Sequence, residues 1–337
     1  MTQAFLDTCE SDVILDFFTR NTDLVSDAHV RKAVGSHLAN ALNIRIPRMP
    51  GQATRTTAAL APVLGSEGFV PLGVLLQPDD IAATVAAARA LPCYDREIAY
   101  QGDGIPRYVG AGAEQRRLGG YRMQDVVELP HLLELALSPT ILSVAEAYMN
   151  ATPTLTMLSA WWSFPSVSEP QPFPQNFHRD SDDFRFVSLF VYLTDVGLGS
   201  GPHQYVRGSH DLDRFAETAR GLFPTGRNAM SYFDGLNGIP ERNTEYLDTF
   251  APLMATIVGP AGVGFLGDNY GLHRGMPPID RPRLLFVARY GLFRNANEEH
   301  RLREGYQRVP WSRRLPDLPA DDWMRYITRL ILEPPAA

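Results

Sequence analysis

The stretch RFVSLFVYLTD at 185–195 alternates without a break. Val187, Leu189, Val191 and Leu193 fall on one face, and Phe186, Ser188, Phe190, Tyr192 and Thr194 on the other. Successive side chains of a strand point to opposite faces, so this period of two predicts a strand. An aliphatic face laid on helices and an aromatic–hydroxyl face turned to a cavity would explain it. So would a sandwich strand with a merely semi-polar second face. Further short stretches of this kind lie at 154–163, 203–207, 254–258, 261–267 and 283–291, separated by Pro, Gly and Asn. Many short strands so punctuated predict a mainly β protein, a barrel or a sandwich.

Upstream of residue 150 the signals are mostly helical. EGFVPLGVLL at 67–76 reads as a strand pair or a strand and turn, and QPDD at 77–80 starts a helix to about Leu91, with proline and acids in its first turn. Residues 94–128, rich in Gly, Arg and Tyr, read as a long loop, and 129–149 as a helix or helix pair broken near Ser138-Pro139. Leu6, Val13, Ile14, Phe17 and Phe18 recur at helical spacing, and a second amphipathic stretch runs from Asp27 to about Leu42 before Pro47, Pro50 and Gly51. The division expected is a helical N-terminal extension, 1–60, and a β domain with α-helical flanks, 61–337. The N-terminal helices could cover the barrel or join two chains as a homodimer.

The 337 residues are 45% apolar, enough for a large core, and carry a net charge of −7, which offers no basic face to nucleic acid. Cys9 and Cys93 are too far apart for a disulfide framework. No signal-peptide pattern and no continuous apolar run of membrane-spanning length stand out, so a cytoplasmic protein without a membrane role is expected.

Just before the alternating strand stands FHRD at 177–180, and LHRG follows at 272–275. In extended chain His178 and Asp180 project together, and His273, after the apolar stretch 263–267 and a turn-like DNYG, could supply a third ligand. Two histidines and a carboxylate on one face of a metal leave the other positions open, the arrangement of non-haem Fe(II) enzymes that use O2. A lone H-x-D tripeptide also arises by chance, so its context decides. Arg283, ten residues after His273, opens the last long strand and could hold a carboxylate through two parallel hydrogen bonds. Arg281, beyond Pro282, reads as a loop residue.

The segment GPHQYVRGSH at 201–210 completes a pattern. Together with the H-x-D motif, the distal histidine, EGFV at 67–70 and LLQPDDI at 75–81, it resembles the phytanoyl-CoA dioxygenase family of Fe(II)/2-oxoglutarate oxygenases over roughly 65–291. The resemblance implies a double-stranded β-helix, the jelly-roll core of cupin-like proteins, with flanking helices. It implies Fe(II) on His178, Asp180 and His273, and 2-oxoglutarate anchored by Arg283. It makes His210 part of a structural corner. Two departures stand out: Arg207 where the family usually has proline, and Gly275 where many members have a serine that helps hold the co-substrate. Related halogenases replace the carboxylate ligand with a small residue. Asp180 is present, so hydroxylation or another oxidation is expected.

Around the site, Phe190 and Met157 could approach the co-substrate, Ser159 likewise, and one of Trp161 and Trp162 could line the pocket while the other packs in the core. Arg122 is a candidate for a further anion contact, His203 for the pocket wall, and 224–250 for a lid. Asp182 and Asp183 read as solvated. The function expected is oxidation of a small-molecule C–H bond with release of succinate and CO2. The alternatives are a metal-cupin enzyme that does not use 2-oxoglutarate and a non-catalytic small-molecule-binding barrel.

Overall fold

The computed structural model describes residues 28–46, 48, 54–96, 107–108, 117–165, 173–223, 242–292, 308–311 and 321–333. In chain order these form α1 (Ala28–Arg45), α2 (Arg55–Glu67), β1 (Phe69–Val74), α3 (Pro78–Ala90), β2 (Tyr94–Asp95), β3 (Arg107–Tyr108), β4 (Leu118–Gly120), α4 (Met123–Glu128), α5 (Leu132–Ala136), α6 (Pro139–Met149) and β5 (Thr154–Ser163). There follow β6 (Phe186–Tyr192), β7 (His203–Val206), α7 (Leu212–Thr218), α8 (Asn243–Phe250), β8 (Met254–Ile257), β9 (Val263–Gly267), β10 (His273–Gly275), β11 (Arg283–Gly291), β12 (Val309–Pro310), α9 (Asp322–Thr328) and β13 (Leu332–Glu333).

Eight strands form one sheet in the order β1-β9-β6-β11-β5-β4-β2-β3, and three form a second in the order β10-β7-β8. Both are antiparallel throughout. The sheets face each other. Tyr192 of the large sheet donates to the Ile257 carbonyl of the small one at 2.8 Å and accepts from the His203 amide at 3.0 Å. Phe69 on β1 lies 5.4 Å from Tyr205 on β7. Two facing antiparallel sheets with helices outside make a double-stranded β-helix.

Alternation decides which side of each strand meets the helices. Val187, Leu189 and Val191 on β6, Leu158, Ala160 and Trp162 on β5, and Leu284, Phe286 and Ala288 on β11 are buried with α5 and α6 in the main core. Phe190, Tyr192, Phe265, Leu285 and Val287 form a separate cluster between the sheets. The cavity face expected of 185–195 is therefore the inner face. The two tryptophans divide as their opposite directions require: Trp162 joins the outer core and Trp161 the inner cluster.

Strands β5 and β11 have the bounds read from the sequence. Leu132–Met149 is apolar enough to cross a membrane by length and hydropathy, but it is two helices and 61% of it is buried. Pro139 starts the second helix, because a residue without an N–H fits only a first turn. The expected loop 94–128 needs correction. Its described parts are β2, β3 and β4, which extend the large sheet beyond β5, and α4. Strands of two or three residues carry no readable period. EGFVPLGVLL gives one strand, β1, paired with β9. It starts from Gly68 at φ 83°, where a side chain would also run into Tyr205.

The stretch containing Leu6 to Phe18 lies outside the described residues, as do Tyr232, Phe233, Asp234 and Asn237 of the expected lid. The lid's last part is α8, whose Tyr246 and Phe250 pack with Phe215 of α7 and Phe177, so it serves as a small second core beside the site. Helix α1 gives Leu38 and Ala39 to the main core.

Candidate metal centre

His178 and His273 stand directly opposite one another. The His178 amide donates to the His273 carbonyl at 2.9 Å, and the His273 amide returns the bond at 3.0 Å. This bridge adds the 178 segment to the small sheet beside β10. Paired residues share a face, and the two imidazole centroids are 4.3 Å apart. Asp180, two residues on, returns to that face while its amide donates to the Asn269 carbonyl at 2.8 Å. One ligand atom from each of His178, Asp180 and His273 lies within 4.8 Å of the others. His273 opens β10, after β9 and the DNYG segment.

Backbone carbonyls orient both rings. His178 Nδ1 lies 2.7 Å from the Asn176 carbonyl, and His273 Nδ1 lies 2.8 Å from the Gly271 carbonyl. A carbonyl only accepts, so each Nδ1 carries the proton and each Nε2 presents a lone pair, as metal-bound histidines do. Burial, together with the neighbouring His178, pushes the His273 imidazole down to about 4, so it is neutral at pH 7.

The carboxylate is divided in the same manner. Asp180 Oδ1 faces His178 Nε2 at 3.6 Å. Oδ2 accepts from Arg289 Nη2 at 2.7 Å and Asn269 Nδ2 at 3.3 Å. Burial alone would raise the Asp180 carboxyl. Arg289, His273, His178 and the Asn269 hydrogen bond outweigh it and hold the group below its ordinary value. Asn269 Nδ2 also lies 3.2 Å from His273 Nε2. Arg289 pairs with Asp182 and donates to Ser188 Oγ at 3.3 Å. Asp182 is therefore no solvated acid, and neither is Asp183, which accepts from the Phe184 amide at 2.6 Å.

The 268–270 segment that carries Asn269 is tied from behind. Asp268 accepts from Tyr148 Oη at 2.6 Å and from the Tyr270 amide at 2.9 Å, and it pairs with Arg31 of α1 at 3.4 Å. The Arg31 guanidinium lies over the Tyr270 ring at 4.0 Å. The corner at 208–210 is structural. Ser209 Oγ donates to the Val206 carbonyl and accepts from the Leu272 amide, each at 2.7 Å, which fixes the entry to β10. His210 Nε2 lies 3.2 Å from the Gly65 carbonyl.

Arg283 lies elsewhere on the inner face. It is 3% exposed, and burial lowers the pKa of its guanidinium. Nη2 donates to Ser163 Oγ at 3.2 Å, while Nε and Nη1 are buried with no partner among the described residues. Gly275 borders it, and a Cβ there would come within 2.9 Å of Nη2. Buried donors are normally satisfied, and a planar guanidinium with donors to spare matches a carboxylate. Phe190 and Met157 belong to the inner cluster, with the Phe190 ring 4.8 Å from Phe265 and 5.0 Å from His203. Arg122 is placed differently from its expectation. Its Nε bonds Asp125 at 3.2 Å and its guanidinium lies over Tyr94, residues outside the triad and outside the Arg283 cradle. Arg96 takes the inner position instead, donating to Ser159 Oγ at 2.5 Å over the Trp161 ring.

The donor set suits Fe(II): two imidazoles and one ionised carboxylate, each oriented by a second partner. The unpaired Arg283 donors suit the far end of 2-oxoglutarate. Fold and donor set define the class of non-haem iron, 2-oxoglutarate-dependent oxygenases. The chain belongs to the phytanoyl-CoA dioxygenase family, whose model matches residues 65–252, more than half its length. That match holds His178 and Asp180 and ends before His273 and Arg283. No curated protein matches the chain. Among solved structures, similarity is found to the epimerase SnoN from nogalamycin biosynthesis, at 20% identity over 69% of this chain and 82% of that one, with a TM-score of 0.44. EctD from S. alaskensis with bound Fe gives 15% identity over 72% and 78%, TM-score 0.44. HygX from Streptomyces hygroscopicus with nickel and 2-oxoglutarate gives 16% over 71% and 87%, TM-score 0.43. None of these likenesses carries a residue role or a substrate to this chain.

Proposed function

We propose that His178, Asp180 and His273 hold Fe(II), that Arg283 holds the far carboxylate of 2-oxoglutarate, and that the protein oxidises a C–H bond of a small molecule. The observation that carries this reading is the convergence of two imidazole Nε2 atoms and one carboxylate oxygen, with every outward-facing ligand atom already tied to the protein. When bound, iron and 2-oxoglutarate supply the O2-dependent oxidation, with succinate and CO2 as co-products. The chain's own residues do the rest. Arg289 and Asn269 keep Asp180 ionised and presenting one oxygen. The carbonyls of 176 and 271 keep the imidazoles aimed, and burial keeps His273 neutral. Phe190, Phe265, Leu285 and Val287 keep the space between the sheets apolar, which excludes water from the reacting groups.

Hydroxylation is the outcome we assign. A small secondary metabolite or amino-acid derivative fits better than a coenzyme A thioester, because the sequence has no basic cluster for nucleotide phosphates. For α1 we favour cover over pairing of two chains, because it turns Leu38 and Ala39 to its own core. A monomer in light scattering is expected, and a dimer lost on removing that helix would reverse this.

Anaerobic titration tests the main reading. Fe(II) followed by 2-oxoglutarate should give the weak visible metal-to-ligand absorption of this enzyme class. Iron uptake without that absorption would favour a metal-cupin enzyme that does not use 2-oxoglutarate. No iron uptake would leave a binding barrel.

A further inference from the structure

Strands β7 and β10 run antiparallel with His203 directly opposite Gly275. Opposite residues send their side chains to the same face, about 4.5–5.5 Å apart at Cβ. Here one partner has no side chain. The ground that a Gly275 side chain would occupy adjoins Arg283 Nη2 and Nη1. His203 borders that ground from the small sheet.

The surroundings of His203 are poor in hydrogen-bond partners. It is 5% exposed, its ring lies 5.0 Å from Phe190 and 5.1 Å from Phe265, and it stacks on His273 at 5.3 Å. Ile257 faces it from β8. Its backbone amide is used by Tyr192, but among the described residues no group hydrogen-bonds to its ring. His203 is also absent from the three-residue ligand cluster. An imidazole carries at least one N–H in any protonation state, and no described group takes it, so the ring offers a donor that an apolar side chain would not. A leucine or methionine would pack against the same rings.

We propose that His203 is a binding residue for the acidic co-substrate, its ring N–H donating to the carboxylate that Arg283 takes. The small sheet thereby supplies from β7 the polar contact that Gly275 does not supply from β10. The inference rests on the 2-oxoglutarate reading above and assigns that site a second contact.

The test is anaerobic calorimetry on the full chain, titrated first with Fe(II) and then with 2-oxoglutarate. His203→Leu should weaken 2-oxoglutarate about tenfold, as loss of one hydrogen bond to a charged group does, and leave Fe(II) affinity within about twofold. His203→Gln, which restores an N–H donor, should recover most of the loss. His203→Met replaces the leucine variant should that one not fold. Unchanged 2-oxoglutarate affinity in His203→Leu overturns the proposal, and so does a loss of Fe(II) affinity, which would make His203 a metal ligand. A wild-type protein that binds Fe(II) but not 2-oxoglutarate would instead remove the underlying functional reading.

Discussion

The metal corner and the Arg283 cradle are both buried and both polar, the first built on the small sheet and the second on β11 of the large one, yet they are finished differently. At the corner each ligand has an outer partner. The imidazoles have carbonyls, and Asp180 has Arg289 and Asn269. At the cradle, among the described residues, one guanidinium has a single hydroxyl partner and two buried nitrogens with none. Two arginines of one strand make the contrast plain: Arg289 is used by Asp180, Asp182 and Ser188, whereas Arg283 is held in reserve. The first arrangement fixes ligand geometry before an ion arrives. The second stores donors that only a ligand can satisfy.

The largest effect should come from the corner. Asp180→Ala is expected to weaken Fe(II) by more than the ~100-fold that outer partners reach, measured by anaerobic metal titration. Arg289→Met leaves the ligands in place but frees the carboxylate, and should cost about 10–100-fold in Fe(II) affinity, with Arg289→Lys recovering part of it. At the cradle, Arg283→Met should weaken 2-oxoglutarate by about 30-fold or more, because losing one partner of a buried charge pair costs about 2 kcal/mol at least. Arg31→Met acts one step further out, through Asp268, and should lower Fe(II) affinity by less than the ~10-fold of a direct partner. Equal iron losses in Arg31→Met and Arg289→Met would erase that ranking.

The last effect concerns pH. Burial holds the His273 imidazole at about 4, below its ordinary 6.5, and it lowers His203 and His210 as well. As pH falls through 6.5 the unfolded chain takes up these protons first, so stability is lost progressively down to about 4. Metal-free protein should melt at a lower temperature at pH 5 than at pH 7.5. An unchanged Tm would place the three rings in wetter surroundings than the structure does.

How much of this could be read in the sequence followed from range. Strands β5 and β11 are ten and nine residues long in alternation or near-continuous apolar runs, so their period is visible. His178 and Asp180 are neighbours on one face by local geometry alone. Arg289 had a signal that went unread: it is a charge at an inward position of RLLFVARYG, in phase with Arg283. Strands β2, β3 and β4 had none, because their pairing depends on the edge of β5 and not on their own pattern. Asn269 is the hardest case. Its amide reaches two ligands from a segment held at Asp268 by Tyr148 and by Arg31, 120 and 237 residues away in sequence. Arg122, expected as an anion contact, is used locally: Asp125, three residues on, takes its Nε.

One titration weighs the contrast between corner and cradle most directly. Arg283→Met is loaded with Fe(II) under anaerobic conditions and then titrated with 2-oxoglutarate. Iron should bind as in the wild type, while the 2-oxoglutarate-dependent absorption appears only at concentrations about 30-fold higher or more. Wild-type 2-oxoglutarate binding in that variant, or loss of its iron, would contradict the separation of the two sites.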